Sequence, residues 1–147
     1  MDRDTASPVW PSAAPPDAPP GEVWDLQHVS ELPRVRAQLR RLLVAAPDDS
    51  GPEVAAELVD RVVLAFDEMA SNALRHGGAG VRARVAPHGR SWLVEVCDSA
   101  ATTPPTPAIG RDPSQGGLGL YLIAEMATAH GWQTVGATKS VWALLPR

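Results

Sequence analysis

The run Leu64-Ala65-Phe66-Asp67-Glu68-Met69-Ala70-Ser71-Asn72-Ala73-Leu74-Arg75-His76-Gly77 constrains this chain more than any other segment. Its apolar residues, with Val62 and Val63 before them, recur at helical spacing and predict the end of a largely buried helix. Glu68 and Asn72 stand four residues apart and therefore share one face of it. Polar side chains on a buried helix are costly unless partnered, so the pair needs an explanation. A carboxylate and a carboxamide stacked in this way can aim at one small volume, the acid as proton acceptor and the amide oxygen as metal ligand. Taken alone, the pair equally suits the capping of a loop or a bond to a neighbouring strand.

Two downstream segments narrow the choice. Trp92-Leu93-Val94-Glu95-Val96-Cys97-Asp98-Ser99 alternates as a strand and ends at a carboxylate before a turn. A carboxylate fixed there can accept from an exocyclic amine such as that of adenine, although Asp also ends strands for turn chemistry. Gly116-Gly117-Leu118-Gly119-Leu120-Tyr121-Leu122-Ile123-Ala124 places glycines at the opening of an apolar helix. Phosphate binding needs this combination of close backbone approach, free N–H groups and positive helix end, and a flexible loop entering an ordinary helix has the same composition.

The order of these motifs resembles the GHKL superfamily, the histidine-kinase-like ATP-binding domain shared by gyrase, the heat-shock chaperones, MutL and histidine kinases. The small size is most similar to the stand-alone anti-sigma-factor serine kinases and their actinobacterial relatives. The resemblance spans about Val23 to Leu145. It implies Glu68 as general base, Asn72 as the Mg²⁺ ligand and Asp98 as the reader of the adenine amine. It also implies that Gly117, Leu118, Gly119 and Leu120 form the phosphate loop of an ATP site, and that Ser140, in the closing strand, helps Asp98 through a water. The partners it implies are a sigma factor and an anti-anti-sigma protein of the STAS type, with transfer of the γ-phosphate of ATP to a partner serine and control of transcription by partner switching. A non-catalytic protein-binding module of the same fold is the alternative.

Two positions depart from the family pattern. The family usually has glycine two residues after the adenine-binding Asp, where this chain has Ala100, whose methyl either crowds the base or stiffens the turn. The segment from Ala101 to Pro107 is rich in proline where the family has more glycine. The long aperiodic stretch between Asp98 and Gly116 fits an ATP lid, in which Arg111 either touches the γ-phosphate or is a plain surface residue. His76, two turns beyond Glu68 on the same face, either orients Glu68 or the lid or is a helix-terminal histidine favoured by the dipole.

With 147 residues, the chain suits one domain with a modest core. Its net charge is -4 and no basic stripe is present, which argues against nucleic-acid binding. Lys139 is the only lysine, and Cys97, the only cysteine, excludes an internal disulfide and reads as a buried hydrophobe. No apolar run approaches membrane-spanning length and no basic-then-apolar leader opens the chain, so a cytoplasmic protein is expected. A P-loop is excluded, because Gly131 to Gly136 is followed by Ala-Thr-Lys. Zinc spacing and a Gly-x-Ser-x-Gly elbow are absent as well.

Residues 1–21, rich in Pro, Ala and Asp, predict a disordered tail with Trp10 as an incidental aromatic, and residues 22–147 predict the domain. Along the domain we expect an edge strand from Glu22 to His28 and a helix from Glu31 to Ala45. Arg36, Arg40 and Arg41 form a solvated face of that helix, or the surface that meets a second subunit in similar kinases. The central helix starts at Asp49-Ser50-Gly51-Pro52-Glu53 and stops at Gly77-Gly78. Strands Val81–Val85 and Trp92–Val96, a helix over 117–129, and strands Trp132–Val135 and Ser140–Leu145 complete a two-layer α/β (α+β) sandwich of the Bergerat type. Its helices are expected on one face of a mixed, mainly antiparallel sheet.

Overall fold

The computed structural model describes residues 10–46, 51–77, 80–101 and 118–147. Five strands, β1 (Glu22–Leu26), β2 (Val81–His88), β3 (Ser91–Asp98), β4 (Ala129–Val135) and β5 (Thr138–Pro146), form one sheet in the order β1-β2-β3-β5-β4. Every pairing between neighbours is antiparallel. The helices α1 (Leu32–Ala45), α2 (Pro52–His76) and α3 (Leu118–Met126) cover one face, with α2 against β2, β3 and β5 and in contact with both other helices. The expected two-layer α+β architecture is the one observed. No helix among the described residues is long and apolar enough to cross a membrane.

The pattern of side chains explains the layers. In β3, Trp92, Val94, Val96 and Asp98 are buried on the helix side, as alternation requires. Leu32, Val35, Leu39 and Leu43 of α1 form one buried stripe. Small residues on α2 (Ala65, Ala70, Ser71 and Ala73) allow close approach, while Phe66 and Met69 fill the space between. Two of the arginines expected on a solvated face bind α1 to α2: Arg36 pairs with Asp67 at 3.1 Å and Arg40 with Asp60 at 2.7 Å. The β2–β3 and β4–β5 turns place Gly89 (φ 56°) and Gly136 (φ 62°) where a tight hairpin needs left-handed backbone.

Several boundaries differ from expectation: β1 stops at Leu26 rather than His28, and β2 runs on to His88 rather than Val85. The helix α3 ends at Met126, and β4 begins at Ala129, earlier than the predicted Trp132. Here β5 captures the backbone: Thr128 donates to the Leu144 carbonyl at 2.9 Å, so ladder bonds replace the last helical turn. Gly51 occupies the N-cap of α2, and the expected capping residues Asp49 and Ser50 lie outside the described residues.

Residues 10–21 correct the expectation of a disordered tail. Trp10 is 1 % exposed and packs edge-to-face on His130, with ring centroids 4.8 Å apart. Trp132 donates to the Pro11 carbonyl and Ala13 donates to the Trp132 carbonyl, which extends the β4 edge by a short parallel bridge. The segment then crosses the helix-free face: Trp142 Nε1 donates to Ala13 O at 2.9 Å and Arg84 to Pro19 O at 2.9 Å. That face carries Leu93, fully buried, and Trp142, so it has apolar surface that a proline-rich strand can cover. Composition misjudged the segment because its burial is supplied by surface elsewhere in the chain.

Candidate functional site

Three chain ends converge on the helix side of the sheet: the last turns of α2, the end of β3 and the first turn of α3. Glu68 and Asn72 are both partly buried on α2. Gly119 lies directly against Glu68, and a Cβ added at Gly119 would fall on the Glu68 carboxylate and within 2.6 Å of its Cγ and Cδ. Glycine at 119 lets the backbone of α3 lie over that side chain, and a Cβ there would require the end of the Glu68 side chain to move. Leu120, one residue on, is 2 % exposed and anchors α3 in the core.

Asp98 is held at the end of β3 by its surroundings. A Cβ at Gly77, the residue that ends α2, would lie 2.5 Å from the Asp98 Cγ and Oδ2. The Gly77 carbonyl accepts from Ser99 N at 3.1 Å and so ties the helix end to the strand end. Ala100 N donates to Asp98 Oδ1 at 2.8 Å. Burial raises the pKa of Asp98, while the Ala100 bond and the Lys139 charge oppose the rise.

Ser140 is not beside Asp98. In the β3–β5 register Ser140 stands opposite Cys97 and Lys139 opposite Asp98, so the hydroxyl lies on the helix-free face, where it donates to a Glu95 carboxylate oxygen. The residue facing Asp98 is Lys139, with Nζ 3.6 Å from Oδ2 and the two side chains 6 % and 2 % exposed. Strand alternation makes an error of one residue an error of a whole face.

Burial also raises the Glu68 pKa, with Asp67 adding to the rise and Arg75 opposing it. A carboxylate displaced in this direction becomes a better proton acceptor near neutral pH. His76 is exposed in the last turn of α2. Gly117 and Arg111, and most of the predicted lid, lie outside the described residues, as does the Leu118 side chain. The oxygen donors Glu68 and Asn72 fit a hard cation that takes most of its ligands from phosphate and water. Among the described residues, no cluster of three or more His, Cys, Asp or Glu side chains is gathered for a metal ion.

The model of the histidine kinase-like ATPase domain matches residues 29–144, most of the chain. The chain belongs to that family. No curated protein matches it. As a histidine kinase-like ATPase domain, the chain carries an ATP-binding fold, with Glu68 and Asn72 on α2, Gly119 of α3 against Glu68, and Asp98 at the end of β3. Sequence reasoning passed over three contributors. Gly77 was legible as a helix stop, but its contact with Asp98 was not. Arg75 and Lys139 become relevant only through helix facing and strand register.

Proposed function

We propose that this protein is an ATP-dependent serine kinase that regulates a partner protein. The observation that carries this reading is Glu68, a partly buried carboxylate with a raised pKa that is covered by the backbone of Gly119. Pure binding has no need of such a base. In the proposed reaction the serine oxygen of the partner attacks the γ-phosphorus, the bond to the bridging oxygen breaks, ADP leaves, and Glu68 takes the hydroxyl proton. Positioning and charge neutralisation supply most of the catalysis in such transfers. Mg²⁺ would neutralise phosphate charge with Asn72 as its protein ligand, and the amides of the first turn of α3 would face the phosphates. The proposed partners are a sigma factor and an anti-anti-sigma protein of the STAS type in the cytoplasm, with a homodimer as the working assembly.

A second reading, a partner-binding module with little turnover, is favoured by the state of Asp98, whose carboxylate is already engaged by Ala100 N–H and Lys139. Calorimetric titration of ATP with Mg²⁺, then with excess chelator, separates the two when combined with variants. Asn72→Ala should weaken Mg·ATP binding, whereas Glu68→Ala should spare binding and lower turnover by about 10²–10⁴-fold. Unchanged turnover in Glu68→Ala would remove Glu68 from the reaction, and ATP binding without turnover in the wild type would leave the module as the function.

A further inference from the structure

Ala86, Leu93 and Trp142 are buried on the helix-free face of the sheet, apart from the core beneath the helices. Residues 11–21 run along that face. A Cβ added at Gly131 would lie 3.0 Å from the Trp142 ring and 3.2 Å from the Ala13 Cβ, and one at Gly21 would lie 2.7 Å from the Ala86 Cβ. The segment is nevertheless attached as a ligand is, not as a core strand is. None of residues 11–21 is buried, and only Pro15, Pro16 and Ala18 are half-buried. Three side chains of the face hold its carbonyls instead. Trp142 Nε1 donates to Ala13 O at 2.9 Å, His88 Nδ1 to Asp17 O at 3.0 Å and Arg84 to Pro19 O at 2.9 Å.

We propose that the helix-free face is a docking site for a proline-rich peptide of a partner protein, and that residues 11–21 occupy it in cis until such a peptide displaces them. The seated segment defines the chemistry of its competitor. Five of its eleven residues are proline, a composition that favours the polyproline II helix. That helix makes no internal hydrogen bonds, so its carbonyls are free to accept, and grooves lined by aromatic side chains recognise it. Trp142 supplies the aromatic surface and one donor, and His88 and Arg84 supply the others. A segment with no buried residue of its own opens locally without unfolding the sheet. Its anchor, Trp10, carries a buried Nε1 with no hydrogen-bond partner among the described residues, which lowers the net gain from seating it. The face lies opposite the helices that carry Glu68 and Gly119, so a docked peptide leaves that side of the sheet open. Docking there requires no nucleotide.

The test is calorimetric titration of a synthetic peptide of residues 11–21 into the full chain and into its Trp10→Ala variant, without nucleotide. Trp10→Ala releases the anchor and should bind the peptide saturably. Its affinity should exceed that of the wild type by at least about tenfold, because the tethered wild-type segment competes at high effective concentration. Adding Trp142→Phe to Trp10→Ala removes the donor to Ala13 O and should weaken the peptide about 2–10-fold. A peptide with its five prolines replaced by alanine should bind at least about fivefold more weakly, since the pre-formed extended shape is lost. No saturable binding to folded Trp10→Ala, or equal affinity for the alanine peptide, overturns the proposal. A wild-type dimer that Trp10→Ala dissolves also overturns it, because the face then belongs to the segment of a second copy. If Trp10→Ala does not fold, Ala13→Pro is titrated in its place and judged by the same outcomes, since it removes the N–H that donates to Trp132 O and keeps Trp10.

Discussion

Glu68 occupies the space that a side chain at residue 119 would need. The relationship links the candidate base on α2 to the first turn of α3, across 51 residues of sequence. Gly119→Ala should therefore displace Glu68 or the start of α3 and cost about 1–3 kcal/mol of stability, as overpacking does. In a Glu68→Ala background the obstructing atoms are gone and the same substitution should cost much less. Denaturation of the four proteins of this cycle measures the coupling, and additive effects would show that the contact is not limiting.

Glu68 also sets a pH dependence. Its carboxyl has a folded pKa above the unfolded value, so the folded state holds the proton more tightly. Stability is then greatest below the unfolded value and falls as pH rises through the folded one. Glu68→Gln removes this loss and should melt above the wild type at pH 7, by about 1 kcal/mol or less. The gain should vanish below the ordinary carboxyl value of 4.5. Melting curves at a series of pH values test it, and a variant less stable than the wild type at neutral pH contradicts it.

Trp10 discriminates between a loose tail and a structural strap. At 1 % exposure, its replacement in Trp10→Ala should cost about 3–5 kcal/mol, the range for a buried large aromatic, against nothing for a disordered residue. Among the described residues, the buried indole Nε1 has no hydrogen-bond partner. Trp10→Phe should consequently cost less than loss of ring volume alone would imply, because an unpaired N–H is removed with it. Chemical denaturation of the two variants gives both numbers.

Cys97 should be inert. Burial and the Glu95 carboxylate push its thiol up to about 11, against an opposing bond with Ser140. Alkylation by iodoacetamide at pH 8 should run about 10²-fold slower than for free cysteine, since the thiolate is the nucleophile. Rapid labelling of the folded protein would place Cys97 in a more open setting.

Local periodicity carried much of this molecule. The spacing of Leu32, Val35, Leu39 and Leu43 identified α1, and alternation identified β3 with Asp98 at its end. Glu68 and Asn72 were legible because a shared helix face is a property of four residues' separation and nothing else. The early start of β4 was not legible, because the bonds that end α3 come from β5.

What remained hidden depends on partners distant in sequence. Lys139 rather than Ser140 faces Asp98 because the β3–β5 register decides which side chains share a face, and no local pattern encodes that pairing. Trp10 is buried because it joins the core cluster beside His130 of β4, a fact invisible in a segment of proline and alanine. Helix facing and strand alternation are short-range and follow from backbone geometry. Register, strap and the contact of Gly119 with Glu68 are long-range, and they exist only once the layers have packed.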